Sequence, residues 1–216
     1  MFLTQFEVNT KRRASRHVLG SPQRLHAAVL ASFPASKIDD GRILWRLDHG
    51  DYHRRELWIS SPHQPDLSAL VEDCGWPTAE RWRSADLQPL LTRLAVGQCW
   101  RFRLTANPTK SLHAPGVRGK PVPLTEAAFI PWLRAKGEAN GFLLRGDESE
   151  SPSARVSRRE DLQFNKESGH RVTLRLVQFD GVLTVADPAR LRGALMDGVG
   201  RAKGYGCGLM TLASLP

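Results

Sequence analysis

The chain has 216 residues, 41% of them apolar, enough for one large domain or two small ones around a real core. Lys and Arg outnumber Asp and Glu by 31 to 22, and the formal charge of +9 favours an acidic partner such as nucleic acid without choosing between RNA and DNA. Cys74, Cys99 and Cys207 lie far apart with no C-x-x-C and no paired His, which argues against a disulfide framework or a zinc site and fits a reducing cytoplasm.

Met1 to Val8 lacks the apolar core of a signal peptide, and no later run approaches the length of a membrane span. A soluble, unexported, cytoplasmic protein with no membrane partner is therefore expected. Phe2 to Asn9 reads as a strand, followed by a basic loop (Lys11, Arg12, Arg13, Arg16, His17) and a helix from Ser21 to about Phe33. Ile43 to His49 and Tyr52 to Ser60 alternate on either side of Gly50-Asp51 and predict a hairpin. A helix over Leu67 to Cys74 and a short strand around Arg81 to Arg83 complete the order β-α-β-β-α-β, the ferredoxin-like unit.

A second pass begins near Gly97, with the halves joined around residues 88 to 97. Cys99 to Ala106 alternates as a strand, Pro108 to Pro123 reads as a Pro, Gly and Lys-rich loop, and Thr125 to Lys136 as a helix. Further strands are expected at Phe142 to Arg145 and from His170 to Val185, the latter broken by a turn at Asp180-Gly181. Asp187-Pro188 then opens a helix carrying Leu191, Ala194, Leu195 and Gly198 at helical spacing, and Gly208 to Leu212 reads as a final strand. The fold class expected is α+β with two tandem ferredoxin-like domains, one over residues 1–92 and one over residues 97–216. The second would carry a basic hairpin and a glycine-rich loop.

That loop contains Gly198, Gly200, Gly204, Gly206 and Gly208 interleaved with Arg201 and Lys203. A dinucleotide fingerprint does not fit, because Lys203 stands where the third glycine belongs and the helix precedes the loop instead of following it. Two readings remain: a cradle in which Gly200, Gly206 and Gly208 let the backbone approach an anion beside Arg201 and Lys203, or a helix C-cap followed by a tight turn.

Among seven histidines, His26 is placed by Ser21 and Pro22 in the second turn of the first helix. It falls inside the apolar arc of Leu25, Val29, Leu30 and Phe33, so a core histidine and an uninvolved surface histidine are both open readings. No H-E-x-x-H, no serine nucleophile elbow and no carboxylate constellation suited to two metals is evident, and no cofactor is expected. Arg101 and Arg103 share a strand face, with Lys110, Arg118 and Lys120 in the segment behind them. Arg155, Arg158, Arg159, Lys166 and Arg171 bracket an expected hairpin able to lie along a structured RNA through phosphate contacts; a solvated charged surface is the competing reading.

Arg24-Leu25-His26, the segment Arg103 to Lys110 with its Asn107-Pro108-Thr109-Lys110, the run Phe179 to Val185 and the glycine-rich tail, taken together and in this order, resemble the CasE family. These are the CRISPR precursor-RNA endoribonucleases of type I-E systems. The resemblance spans almost the whole chain. It implies two tandem ferredoxin-like domains and metal-independent cleavage of a repeat RNA at the base of its hairpin. The adjacent 2'-OH would attack the scissile phosphate, leaving a 2',3'-cyclic phosphate and a 5'-OH, and the mature crRNA would stay bound within a Cascade-type complex. His26 matches the family's catalytic histidine, which would deprotonate the 2'-OH. Arg24 and the basic residues named above, with the tail, would hold the RNA. Some members carry a tyrosine three residues before the histidine where this chain has Gln23, which cannot donate a proton as a general acid does. The group that protonates the leaving 5'-oxygen is thus unassigned, and a non-catalytic repeat-RNA-binding subunit is the alternative reading.

Overall fold

The computed structural model describes residues 1–50, 52–77, 82–114, 117–144, 153–165 and 171–215. These form two compact units, the first comprising Met1–Arg93 with Met196–Gly198 and Lys203–Leu209, the second Leu94–Leu195 with Val199–Ala202 and Met210–Pro216. The expected division at residues 92 and 97 differs from this at the tail: Lys203–Leu209, expected in the second domain, packs with the first unit.

The first unit runs β1 (Phe2–Asn9), α1 (Arg13–Leu19), α2 (Pro22–Leu30), β2 (Leu44–His49), β3 (Arg54–Ser61), α3 (Ser68–Cys74), β4 (Arg83–Asp86) and α4 (Gln88–Arg93). Its sheet is antiparallel in the order β2-β3-β1-β4, which is what the β-α-β-β-α-β order produces when each helix crosses one face of the sheet. Phe6 and Val8 of β1, Ile43 and Trp45, and Leu57 and Ile59 of β3 recur at every second residue. They meet Leu25 and Val29 of α2 and Leu70 and Cys74 of α3 in one buried cluster. Complete burial of a Leu or Ile of this kind contributes roughly 1.5–3 kcal/mol.

Two segments here differ from the sequence expectation. The basic stretch expected as a loop folds into α1, whose last turn holds Arg16 and His17 at the end where the helix dipole favours cations. The stretch expected as a joint becomes α4, started by Asp86 Oδ1, which accepts from the Gln88 amide at 2.9 Å, and anchored by the buried Leu91.

The second unit runs β5 (Cys99–Ala106), β6 (Thr109–Ala114), β7 (Val117–Pro123), α5 (Phe129–Ala139), β8 (Phe142–Leu144), β9 (Ala154–Asn165), β10 (Arg171–Val185), α6 (Pro188–Asp197) and β11 (Met210–Ala213). The order β11-β5-β10-β8 repeats the first sheet's connectivity, with β9 pairing β10 beyond β8 and β6 pairing β7 as a separate ribbon. Both units are ferredoxin-like, in tandem. The segment expected as a loop is this ribbon. Its prolines at 121 and 123 are two residues apart, so both missing N–H groups face the same side of the strand, and an edge strand tolerates that.

The turn expected at Asp180-Gly181 is absent, because β10 runs unbroken through it. The glycine serves a close approach instead of a reversal: a Cβ on Gly181 would lie 2.1 Å from the Ser153 carbonyl oxygen at the start of β9. Asp180 is turned to Arg103, whose Nε and Nη2 donate to its carboxylate at 2.6 and 3.1 Å.

Candidate active site

His26 lies in the second turn of α2. Ser21 has extended backbone (φ −151°, ψ 130°) and Pro22 occupies the first helical position, though the Ser21 hydroxyl makes no capping bond. Leu25 and Val29 face the core, and His26, next to Leu25 in the chain, is half-buried at the border of that face. Its Nδ1 accepts a hydrogen bond of 3.1 Å from the indole Nε1–H of Trp45, a β2 residue only 3% exposed. Burial lowers the imidazole's pKa from its ordinary 6.5, so the ring is neutral at pH 7.

The glycine-rich tail packs on this pair. Gly204, in a 3-10 turn over Lys203–Tyr205, lies against the imidazole: a Cβ there would sit 3.4 Å from His26 Nε2. Gly206 has φ +81°, and a Cβ would come within 2.7 Å of the Trp45 ring. Gly198 caps α6 with φ +78° against Leu44, and Gly208 has φ +93°. The positive φ of Gly198, Gly206 and Gly208 is a conformation other residues adopt only under strain. A little further along, the buried Arg46 binds Asp48 at 2.8 and 3.0 Å and donates from Nη1 to the Leu209 carbonyl at 3.2 Å, tying the tail to β2.

Beside His26 opens a cleft of about 450 Å³ lined by Leu30, Ile38, Asp39, Arg42, Ile43 and Asp197. Arg42 is exposed at its edge. Lys203 donates from Nζ to the Asp197 carbonyl at 2.5 Å. Its pKa is lowered, first by burial and then by the charge of Arg42, against the opposing pull of Asp197. Two cations near enough to repel each other, next to a neutral imidazole and an open cleft, form an arrangement that an anion would relieve. Sequence reasoning missed Arg42 and Trp45. The first is a lone arginine after Asp39-Asp40-Gly41, and the second is a core position in an alternating strand, so neither carries a signal until the tail is seen to fold back upon them.

The other expected residues are dispersed. Arg24 is exposed on α2, its Nη1 3.0 Å from His17 Nδ1. On β5, Arg101 is exposed and donates to the Ser214 carbonyl at 3.0 Å, whereas Arg103 is half-buried in its two bonds to Asp180. Arg155 is exposed on β9 and aligned with Asp180 of β10, which is aligned in turn with Arg103 of β5. Arg158 is 2.9 Å from Glu160, and Arg159 bonds the Glu126 carboxylate. Lys110 is exposed on β6. In the tail, Gly200 has φ +85° and packs near Trp132, and Arg201 is exposed. Lys166 lies outside the described residues. Among the described residues no three His, Cys, Asp or Glu side chains gather as metal ligands would, and no helix is long and apolar enough to cross a membrane.

Comparison with known proteins shows the family. A family model described as CRISPR associated protein matches residues 1–214. The CRISPR-associated endoribonuclease Cse3 of Thermus thermophilus is 32% identical over 99% of this chain and 100% of its own length. The Cascade subunit CasE of Escherichia coli is 35% identical over 57% of this chain and 62% of its own length. A solved structure of Cse3 bound to a 19-nucleotide RNA superposes with a TM-score of 0.85 at 31% identity, covering 99% of this chain and 100% of that one. Cas6e from E. coli, at 23% identity and a TM-score of 0.62 over both whole chains, shares the fold. Over nearly its entire length, then, the chain belongs to the CRISPR-associated endoribonuclease family of Cse3 and CasE.

Proposed function

We propose that this protein is a metal-independent endoribonuclease that cleaves CRISPR precursor RNA at the base of the repeat hairpin and keeps the mature crRNA within a Cascade-type complex. The observation that carries the reading is His26: half-buried, neutral and held by Trp45 at a cleft edged by Arg42. Its support from comparison is the likeness over the whole chain to an endoribonuclease solved with RNA. In the reaction the 2'-oxygen bonds to phosphorus as the P–O5' bond breaks. One proton leaves the 2'-OH and one arrives at the 5'-oxygen, giving a 2',3'-cyclic phosphate and a 5'-OH with no water consumed. His26 acts at the scissile phosphate, and Arg42 and Lys203 offset the charge gathering on its oxygens.

The stem is held by phosphate contacts from Arg24, Arg101, Lys110, Arg155, Arg158, Arg159 and Arg201. The exposed pairs that Arg158 and Arg159 form with carboxylates are weak enough to exchange for phosphate. Arg103 is paired with Asp180 through two bonds.

Incubating the protein with its repeat RNA in EDTA is expected to give a cyclic-phosphate product, and His26→Ala to bind the RNA without cutting it. Cleavage that requires added magnesium overturns the metal-independent reading. Failure of the native protein to cut under any condition, with specific binding retained, establishes a binding-only subunit instead.

A further inference from the structure

We propose that Trp45 is a positioning residue of the cleavage site, fixing His26 as the tautomer that carries its proton on Nε2, so that His26 acts on the scissile phosphate as a hydrogen-bond donor. This rests on the reading of His26 as a catalytic residue and deepens it.

The indole Nε1–H is a donor with no acceptor capacity, and it points at His26 Nδ1 from 3.1 Å. A proton on Nδ1 would set one N–H against another inside a buried contact. Both the Nδ1–H neutral form and the imidazolium need that proton, so Trp45 disfavours both and leaves the neutral Nε2–H form. The indole has little freedom to turn away. Trp45 is 3% exposed within the core cluster, and Gly206, lacking a Cβ, lets the tail backbone close over its ring. The opposite edge of the imidazole, Nε2, lies beside Gly204.

Charged groups around this edge come from several segments: Asp39 and Arg42 from the stretch before β2, Asp197 from the end of α6, and Lys203 from the tail turn. Arg42 and Lys203 oppose a proton on the ring and the two carboxylates favour one, while burial, the leading influence, lowers the pKa.

The mechanism changes accordingly. The base role that the family resemblance implies needs a lone pair at Nε2, and that lone pair is not present in the tautomer Trp45 imposes. A donated Nε2–H instead meets a phosphate oxygen whose charge grows as the 2'-oxygen attacks. The imidazolium carries a proton on Nε2 as well, so acidification through the folded-state pKa, which burial holds below 6.5, leaves this donor in place; the 2'-OH proton passes to solvent and the leaving 5'-oxygen takes one back from solvent.

Nitrogen-15 spectra of the wild-type protein test the tautomer directly, and Trp45→Phe tests its consequence. The wild type is expected to show a pyridine-like Nδ1 and a protonated Nε2. In Trp45→Phe, Nδ1 is released to hold the neutral ring's single proton, which leaves Nε2 without its N–H, so cleavage falls above the imidazole pKa and recovers on acidification, where both nitrogens are protonated. Single-turnover cleavage of the repeat RNA should fall roughly tenfold. A wild-type spectrum with the proton on Nδ1 overturns the proposal even if the variant does not fold. A folded Trp45→Phe that cuts as fast as wild type or faster above the imidazole pKa overturns it as well. The underlying reading fails separately: His26→Ala cutting at the wild-type rate removes His26 from catalysis whatever the spectra show.

Discussion

In the proposed cleavage site Arg42 contrasts with a structural arginine of the same unit. Arg46, four residues on, is 2% exposed and bound to Asp48 and the Leu209 carbonyl, which is how a buried guanidinium is made tolerable. Arg42 is exposed beside the His26 cleft, close enough to Lys203 to lower its pKa. Removing it should therefore change chemistry and leave stability nearly alone. Arg42→Ala is expected to slow single-turnover cleavage about tenfold or more while the urea midpoint moves by no more than about 0.5 kcal/mol in equivalent stability. An unchanged cleavage rate would remove Arg42 from the site. At this scale the family resemblance singled out His26, whose helical position alone left a core and a surface histidine both open. The sequence was silent on Arg42 and Trp45, because their meaning depends on a tail more than 150 residues away in the chain.

Among the elements, alternating strands and capped helices were the legible part: Cys99–Ala106 was bounded correctly, and Asp187 caps α6 through bonds of 2.9 and 3.1 Å from the Ala189 and Arg190 amides. Glycine and proline were the illegible part, since each has more than one structural use. Asp180-Gly181 has the composition of a turn, yet Gly181 lies in mid-strand where another backbone passes close to it. The same ambiguity ran through the tail, whose alternatives were an anion cradle or a turn. Gly204 and Gly206 have a third use, packing backbone onto His26 and Trp45. Gly206→Ala combines an added methyl 2.7 Å from the Trp45 ring with a φ of +81°. The expected cost is about 1–3 kcal/mol in chemical denaturation. Cleavage should fall further than RNA binding does, because the displaced indole is the one holding His26. An alanine variant as stable and as active as wild type would show that the tail has room to spare there.

For the whole molecule, the charge of +9 bears on affinity and not on chemistry. Each phosphate that an arginine neutralises releases counterions, so the logarithm of RNA affinity should fall linearly with the logarithm of salt concentration, with a steepness set by the number of such contacts. The two tail cations, equivalent in sequence, are expected to differ in this measurement. Arg201 is exposed in the second unit, whereas Lys203 belongs to the first and already donates to the Asp197 carbonyl beside the His26 cleft. Arg201→Gln should flatten the salt slope by about one phosphate contact and leave the rate of the bound complex unchanged. Lys203→Gln should alter the slope less and slow the cut more, because its charge lies beside Asp197 and Arg42 at the His26 cleft. Filter binding across a salt series, paired with single-turnover cleavage at saturating protein, separates the two effects. Equal slopes and equal rates for the two variants would mean that the tail acts as one undivided basic patch.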